Sequence, residues 1–308
     1  MIDIIGKRYW YFALSLLVIV PGLISLALYG LPLAIDYTGG SMLEIRMPTG
    51  VVPSTEEVIS LVGQVTGFNV ADIRAQPSLQ GTLIIRTREM DAATKTQLEE
   101  ALRARYGEIT LERFESVGPT VGAEVTRGAL VAVAMAAVAI MLYLTFAFRQ
   151  VPHAFRYGVA AVLALLHDVA VVVGTASIFG KAFGWEVDAL FLTAVLTVIG
   201  FSVHDSIVVF DRIRENLIRH RGEPYERIVN HSILQTLDRS INTQLTLIFT
   251  LVALLLFGGT TIRQFIATLL IGMISGTYSS IFNAAPILVM WEKREWRMWF
   301  RRPAEQPG

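Results

Sequence analysis

The 308-residue sequence contains no cysteine. A disulfide scaffold and a thiolate metal site are therefore excluded, whereas either an oxidising or a reducing compartment remains open. Charged residues are also scarce: they make up 17% of the chain, and 26 lysines and arginines are matched by 26 aspartates and glutamates. A net charge of zero does not point to any particular class of partner, so the positions of the charges are more informative than their sum.

Apolar residues, by contrast, are abundant. They form 53% of the sequence, and the mean hydropathy of +0.53 is higher than a soluble domain normally has. About 20 helical residues cross a bilayer core of roughly 30 Å. Six apolar runs reach about that length, at 9–29, 127–148, 157–179, 189–210, 241–258 and 264–290. The composition predicts an integral membrane protein with six transmembrane helices.

Lysines and arginines cluster at four places in the connections. They precede the first run, occur between the second and third runs at Arg149 and Arg156, crowd positions 212–239 and return in the tail after position 292. The positive-inside rule assigns all four places, and with them both termini, to the cytoplasm. The first run is longer than the apolar core of a usual signal peptide and lacks a small-x-small cleavage site, so we interpret it as a retained signal anchor.

The predicted domains follow from this topology. Residues 1–30 form the cytoplasmic N-terminus and first helix, and 31–126 an extracytoplasmic domain. Residues 127–291 hold the other five helices, with a basic cytoplasmic connection at 212–240, and 292–308 form a cytoplasmic tail. Basic and aromatic residues at 212–219 and 291–300 are typical of anchors to membrane lipids.

The pattern within the external domain changes to that of a soluble α+β fold. Strands are predicted at 41–47, 70–75, 82–88 and 108–116, with a turn at Gln80 and Gly81. A capping box predicts a helix from Ser54 to about position 65, and a second helix begins after Asp91 and ends at position 107. This order is typical of the ferredoxin-like fold. The charges are mixed and give no case for nucleic-acid binding; a docking module and a passive spacer both remain open.

Two aspartates lie inside apolar runs, each directly after a histidine: Asp168 follows His167, and Asp205 follows His204. A carboxylate inside a membrane is costly and usually has a function. The paired pattern predicts a proton or ion path, with Asp205 as its main residue. A structural role remains open for Asp168, in which His167 or another helix donates hydrogen bonds to it.

Arg239 begins the fifth run and is the candidate cation of this path. Burial favours a neutral carboxyl, whereas a nearby guanidinium favours the carboxylate. Moving Arg239 relative to Asp205 would therefore drive proton release and uptake. An ordinary flanking arginine that extends to the lipid headgroups is the alternative.

Helical spacing places further residues beside the acids. Ser202 is predicted as a hydroxyl neighbour of Asp205, because residues three apart share a helix face. In the sixth run, Gly272 and Gly276 predict a close-packing seam. A stripe of small or polar residues on the fourth helix suits burial against other helices: Thr193, Thr197, Gly200 and His204.

Several motifs are spread over nearly the whole chain. Segment 34–40, Ala-Ile-Asp-Tyr-Thr-Gly-Gly, contains Asp36, Gly39 and Gly40, and segment 117–124 contains Gly118 and Pro119. The third helix carries His-Asp-Val at 167–169. The most specific motif, at 197–216, includes Gly200, Asp205, Asp211 and Arg212, and is followed by motifs at 230–233 and 239–243. Together they resemble the SecF subunit of the bacterial Sec protein-export machinery, within the resistance-nodulation-division superfamily.

The resemblance implies a fold, a place and a set of partners. The fold is a membrane α-helical bundle, one six-helix half of the superfamily type, with an extracytoplasmic ferredoxin-like domain. The place is the bacterial cytoplasmic (inner) membrane. The partners are SecD, the SecYEG channel and unfolded preproteins, with YajC and SecA as further candidates. Asp205 and Arg239 match the family's proton-path positions, whereas His204 replaces the usual asparagine and can itself titrate.

The predicted function is accessory: proton-driven movement of preproteins without covalent catalysis, cofactor or metal. A proton-coupled small-molecule exporter of the same superfamily is one alternative, and a noncatalytic scaffold of a membrane complex is another. His-Asp dipeptides also occur in metal-dependent phosphohydrolases, but here both lie in apolar runs without further visible ligands.

Overall fold

The computed structural model describes residues 2–48, 53–77, 81–259 and 262–295. Most of the predicted tail and Gln80 of the predicted turn lie outside these residues. The chain divides into two compact units, one formed by residues 33–130 and the other by residues 1–32 together with 131–308.

The elements are numbered in chain order. They are α1 (Arg8–Tyr29), α2 (Ile35–Thr38), β1 (Gly40–Arg46), α3 (Thr55–Thr66), β2 (Arg74–Pro77), β3 (Thr82–Thr87), α4 (Ala92–Tyr106), β4 (Thr110–Val117), α5 (Pro119–Ala147), α6 (Phe155–Phe183), α7 (Ala189–Arg219), α8 (Tyr225–Phe257), α9 (Arg263–Ser279) and α10 (Ala285–Glu292).

Within the described residues, six helical segments are long and apolar enough to cross a membrane, which confirms the predicted number. They are α1, α5, α6, α7, α8, and α9 with α10. In each of α6, α7 and α9–α10, about half of the most apolar stretch is buried. In α5, only 6% of the corresponding stretch is buried. The interior of the bundle is therefore formed mainly by α6, α7 and α9–α10, and α1, α5 and α8 leave most of their apolar stretches exposed.

The predicted basic connection at 212–240 is largely helical. Helix α7 continues to Arg219 and α8 begins at Tyr225, so only residues 220–224 separate them. Asn216 Nδ2 donates to Ser232 Oγ and to Gln235 Oε1, both at 2.9 Å, and these bonds join the two helices beyond their apolar parts. Polar pairing thus extends helices that hydropathy alone would end near positions 210 and 241.

The sixth span is not a continuous α-helix. A π-helical turn, Ser280–Ala284, separates α9 from α10, and Pro286 lies in the first turn of α10. Proline is tolerated there because its missing N–H would have no partner within the new helix segment. The wider turn lets the chain pass Pro286 without ending the span.

The unit of residues 33–130 has the predicted ferredoxin-like topology. Its four strands are all antiparallel in the order β2-β3-β1-β4, with α3 and α4 packed against the sheet. The Ser54 hydroxyl accepts from the Glu57 N–H at 3.2 Å, and Asp91 Oδ1 accepts from the Thr94 N–H at 2.8 Å, as the capping patterns predict. The core is formed by alternate strand residues and one face of each helix, including Leu43, Ile45, Val58, Val62, Ile85, Leu98 and Leu102.

The strand predicted at 70–75 is partly wrong. Residues Val70–Asp72 form a 3₁₀ turn, and β2 begins only at Arg74. The Asn69 side chain accepts from the Ala71 N–H at 3.0 Å and so closes a local turn. Asparagine offers this alternative to a strand ladder, which apolar alternation does not reveal.

The motifs at 34–40 and 117–124 meet in the same unit. A Cβ on Gly39 would lie 2.8 Å from Pro119 Cα, and Gly39 has a φ of 72°. Gly40 pairs with Val117 across β1 and β4. Asp36 lies in the short helix α2, and Gly118 directly precedes α5. The two motifs therefore form one packed junction, which explains why the turn between α2 and β1 needs glycine.

Candidate functional site

Asp168 is completely buried in the middle of α6 and has hydrogen-bond partners on both carboxyl oxygens. Its Oδ2 accepts from Ser202 Oγ at 2.6 Å and from Ser279 Oγ at 2.7 Å. Its Oδ1 accepts from Ser275 Oγ at 2.7 Å and lies 3.0 Å from His167 Nδ1. Three helices, α6, α7 and α9, thus converge on one carboxyl group.

Small residues permit this convergence. Ser275 and Ser279 are four residues apart on one face of α9, and Gly276 lies one turn before Ser279. A Cβ on Gly276 would lie 3.2 Å from Ser202 Cβ and 3.7 Å from Asp168 Oδ2. The absence of a side chain at Gly276 therefore leaves room for both the serine and the carboxyl group.

The sequence-based assignment of Ser202 is wrong in one respect. The spacing predicts Ser202 as the hydroxyl neighbour of Asp205, but its hydroxyl donates to Asp168 instead. Helix periodicity alone places residues 202 and 205 on one face. The approach of α6 and α9 decides which acid the hydroxyl reaches, and one sequence does not show that approach.

His167 lies beside this cluster but contributes only one nitrogen to it. Nδ1 contacts Asp168, whereas Nε2 is buried and has no hydrogen-bond partner in the described part of the chain. The imidazole stacks on Tyr278 with a centroid separation of 6.1 Å. When Nδ1 donates this hydrogen bond to Asp168, Nε2 of the neutral ring is an acceptor.

Asp205 has a contrasting environment. It is 4% exposed, lies on the buried face of α7, and its Oδ2 has no hydrogen-bond partner among the residues that the structure describes. The Ser240 hydroxyl of α8 is close enough to interact with this carboxyl group. That contact does not have normal hydrogen-bond geometry, and within the described residues the Ser240 hydroxyl has no other partner. Asp205 is therefore the acid whose bonding capacity remains unsatisfied.

Arg239 directly precedes Ser240 but points elsewhere. Its side chain is exposed and makes no ion pair within the described part of the chain. It lines a cleft of about 570 Å³ between the end of α5, the C-terminal half of α7 and the first half of α8, together with Asp211, Arg212 and Glu215. The predicted pair of Arg239 and Asp205 is thus separated in this conformation, although Asp205 and the residue after Arg239 face each other.

A family model for protein export membrane proteins SecD/SecF, C-terminal, matches residues 97–294. The chain is 50% identical over 307 residues to the protein translocase subunit SecF of Anaerolinea thermophila, with 99% of both chains covered. It is 51% identical over 312 residues to that of Thermobaculum terrenum, with 98% of both covered. The chain belongs to the SecD/SecF family.

A solved structure supports the same relationship for this SecD/SecF family member. The crystal structure of SecDF from Thermus thermophilus matches it with a TM-score of 0.82 at 32% identity, over 95% of this chain. The protein translocase subunit SecDF of Bacillus subtilis is 34% identical over 309 residues. The chain spans 39% of the Thermus protein and 38% of the Bacillus protein, which are both much longer.

The other motif residues of this family member have mainly local contacts. Asp211 forms an ion pair with Arg214 at 2.7 Å. Arg212 pairs with Glu215 and donates from Nε to Gln235 Oε1 at 2.6 Å. The two ion pairs lie within α7, whereas the bond from Arg212 to Gln235 joins α7 to α8 beside the Arg239 cleft.

The seam predicted on the sixth span lies between α9 and α7. A Cβ on Gly272 would come within 2.2 Å of the Val198 side chain, so these helices pack as closely as glycine allows. The predicted stripe on α7 is at most half-buried within this chain: Thr193, Gly200 and His204 are exposed, and Thr197 is intermediate.

Sequence reasoning does not single out four residues of the site as part of the path: Ser240, Gln244, Ser275 and Ser279. A usable signal is present, because Ser240 and Gln244 on α8, and Ser275 and Ser279 on α9, are each spaced by four residues at or within an apolar run. On α8 the spacing extends to Ser232 and Thr236, and all four of these α8 residues are buried. Serine and threonine are common in transmembrane helices, which makes the pattern easy to overlook.

Proposed function

We propose that this chain is a SecF-type accessory subunit of a Sec protein translocase, which works with SecD in the bacterial inner membrane. It would use the proton gradient to help move unfolded preproteins leaving the SecYEG channel, without covalent catalysis. Two relatives named as translocase subunit SecF, each covered almost completely, support this assignment. SecA and YajC remain further candidate partners.

We also propose that the ferredoxin-like unit lies outside the cytoplasm. Arg212, Arg214 and Arg219 lie near the end of α7, and Arg227 lies near the start of α8. Arg156 lies near the start of α6. Their concentration supports a cytoplasmic location for that end of the bundle and for both termini.

The observation that carries the mechanism is the unpaired, buried carboxyl group of Asp205. An ionised carboxylate without a cation in a low-dielectric interior costs several kcal/mol, so in this conformation Asp205 would hold a proton. Movement of α8 that brings Arg239 from its cleft toward the carboxyl group would favour release of that proton. Binding and release at this site would thus be tied to the relative position of α7 and α8.

The energy available suits such a cycle. One charge crossing 100 mV of membrane potential corresponds to about 2.3 kcal/mol. Conformational equilibria are commonly balanced within a few kcal/mol, so transfer of one proton can shift them appreciably. The gradient would bias the position of the helices and, through them, of the ferredoxin-like unit.

Asp168 and His167 would have a different role from Asp205. Both oxygens of Asp168 are occupied, and its partners come from α7 and α9. We propose that Asp168 is a fixed anchor that keeps α6, α7 and α9 in register while α8 moves. His167 would orient that anchor through Nδ1.

The test is preprotein translocation into membrane vesicles that contain the full translocase, with and without a proton gradient. Asp205→Asn and Arg239→Met should each abolish most of the gradient-dependent increase while leaving gradient-independent translocation unchanged. Arg219→Met is a matched control, because Arg219 is also exposed on the α7–α8 hairpin but pairs with Glu215. Full gradient-dependent translocation by both site variants at equal expression would instead support the scaffold alternative.

A further inference from the structure

Three buried polar atoms of α7 and α8 have no hydrogen-bond partner among the described residues: Asp205 Oδ2, Ser240 Oγ and Gln244 Oε1. Each residue is at most 4% exposed. Unsatisfied buried polar atoms are uncommon in native proteins and point to an unaccounted water or ion. Three of them along two packed helices indicate a shared cause.

The positions of these residues along the helices suit a single bridging molecule. Ser240 and Gln244 are four residues apart on α8, so their backbone positions on one face are separated by about 6 Å of helix rise. Two hydrogen bonds of about 2.8 Å each span nearly the same distance. Asp205 faces Ser240 from α7, which brings the carboxyl group to the same location.

The chemistry of the three groups matches water. A water molecule has two protons to donate and two lone pairs to accept. It can donate one proton to Gln244 Oε1 and accept from the Ser240 hydroxyl. It accepts from Asp205 when the carboxyl group holds its proton and donates to Asp205 Oδ2 when the group is ionised. One molecule thereby satisfies every unpaired atom, with three polar partners, as is usual for buried water.

A polar row connects this location with the surface. Ser232, Thr236, Ser240 and Gln244 follow one another at four-residue spacing, and all are buried. Thr236 also lines the cleft that contains Arg239, where the charged residues Asp211 and Glu215 are found. The cleft therefore approaches within one helical turn of Ser240.

From this arrangement we infer that α7 and α8 hold an ordered water, bound by Asp205, Ser240 and Gln244, through which Asp205 exchanges its proton with the Arg239 cleft. The inference rests on the proposed function, in which Asp205 gains and loses a proton. When the carboxyl group releases its proton to this water, the water passes the proton that is not bound to Gln244 to a solvent molecule in the cleft. The water is then neutral again and donates to the ionised carboxyl group. Uptake follows the same steps in reverse. Gln244 and Ser240 are positioning residues for that transfer.

The experiment measures proton exchange at Asp205 directly. In membranes that contain the full complex, infrared spectroscopy follows the carboxyl band that disappears in Asp205→Asn, and the rate of its shift after transfer to D₂O is recorded. Gln244→Leu and Ser240→Ala should each slow this exchange about tenfold or more, since each removes one of the partners that fix the water. Gradient-dependent translocation should decrease severalfold in the same variants.

Further variants separate a bound water from a general packing defect. Ser240→Thr keeps the hydroxyl and should restore most of the exchange rate. The double variant of Gln244→Leu and Ser240→Ala should be little slower than either single variant, because both remove the same water. Thr250→Val is the control on α8, since the Thr250 hydroxyl donates to its own helix at the Thr246 carbonyl, and it should exchange at the normal rate.

The possible failures are distinguishable. If Gln244→Leu exchanges at the normal rate while Asp205→Asn still abolishes gradient-dependent translocation, the bound water is refuted and the proposed function stands. If Asp205→Asn translocates normally, the proposed function itself fails. Translocation that follows a sodium gradient rather than a proton gradient, and is lost in Gln244→Leu, would assign the three oxygens to a cation and overturn the water site.

Discussion

Ser202 Oγ on α7 donates to Asp168 Oδ2 on α6 at 2.6 Å, although Ser202 is only three residues from the other intramembrane acid, Asp205. This bond separates the two acids by role. Asp168 has all its partners from neighbouring helices and from the adjacent His167, whereas Asp205 retains an unpaired oxygen at the α7–α8 contact. A mobile proton is better suited to the acid with unsatisfied bonding capacity.

The anchor at Asp168 predicts a stability effect. Ser279→Ala removes one of two hydroxyl donors to Asp168 Oδ2 and leaves a buried acceptor with less compensation. The free energy of unfolding should fall by about 1–3 kcal/mol. Denaturant unfolding in detergent micelles measures this change. Thr193→Val should have little effect, because the exposed Thr193 hydroxyl donates only to the Ala189 carbonyl of its own helix; equal stability of both variants would contradict the anchor.

The different environments of Asp168 and Asp205 also show how much of the structure can be predicted from the sequence. Apolar runs predict the six spans, and turn and cap residues predict the ferredoxin-like order, because both depend on local patterns. The partners of Asp168 depend on which helices approach each other, and one sequence contains no such information. Ser202 is correctly placed on the polar face of α7 but assigned to the wrong acid for that reason.

The hairpin of α7 and α8 illustrates a second limit. Hydropathy ends these helices where charged residues begin, yet Asn216 and Ser232 join the helices beyond that point. Likewise Asn69 ends a predicted strand by closing a turn with Ala71. In both places a side-chain hydrogen bond, rather than the apolar pattern, determines where the element begins or ends.

The close packing of Gly272 against Val198 predicts that a larger residue at position 272 is destabilising and that a smaller residue at position 198 compensates. A Cβ at this position would lie 2.2 Å from Val198 Cγ2, and Val198 is buried and stiff at χ1. Gly272→Ala should therefore lower the free energy of unfolding by about 1–3 kcal/mol through overpacking. Adding Val198→Ala should recover a large part of that loss. Thermal unfolding in detergent tests both variants. If Val198→Ala does not compensate, Val198 is not the side chain that a residue at position 272 would crowd.

The junction of the motifs at 34–40 and 117–124 predicts that Gly39→Ala is damaging. The new side chain would meet Pro119 at 2.8 Å and would occupy a backbone conformation with φ 72° and ψ 170° that is nearly restricted to glycine. Gly67→Ala is the matched control, because Gly67 also has a positive φ but a Cβ added there would have no atom within 4 Å. Gly39→Ala should lose at least about 2 kcal/mol more than Gly67→Ala. Proteolysis of the folded chain at increasing denaturant compares them, and equal losses would contradict the close junction.

The contact of Glu295 with the start of α1 predicts a pH dependence of stability. Burial by itself would raise the pKa of Glu295, but hydrogen bonds from Arg8 and Tyr9 outweigh it and hold the pKa below its ordinary value. A lowered folded-state pKa means that the stabilisation is fully present above the unfolded pKa of about 4.3 and is lost as the pH falls through the folded value. Glu295→Gln should therefore be less stable than the natural chain at pH 7, and the difference should shrink below about pH 4.3.

Thermal unfolding in detergent at a series of pH values measures that difference. The control is Glu108→Gln, since Glu108 is exposed and makes no ion pair among the residues that the structure describes. Glu108→Gln should follow the natural chain at every pH. A constant difference between Glu295→Gln and the natural chain down to about pH 3 would mean that the loss comes from packing, because only ionisation of the carboxyl group can make it vanish in acid.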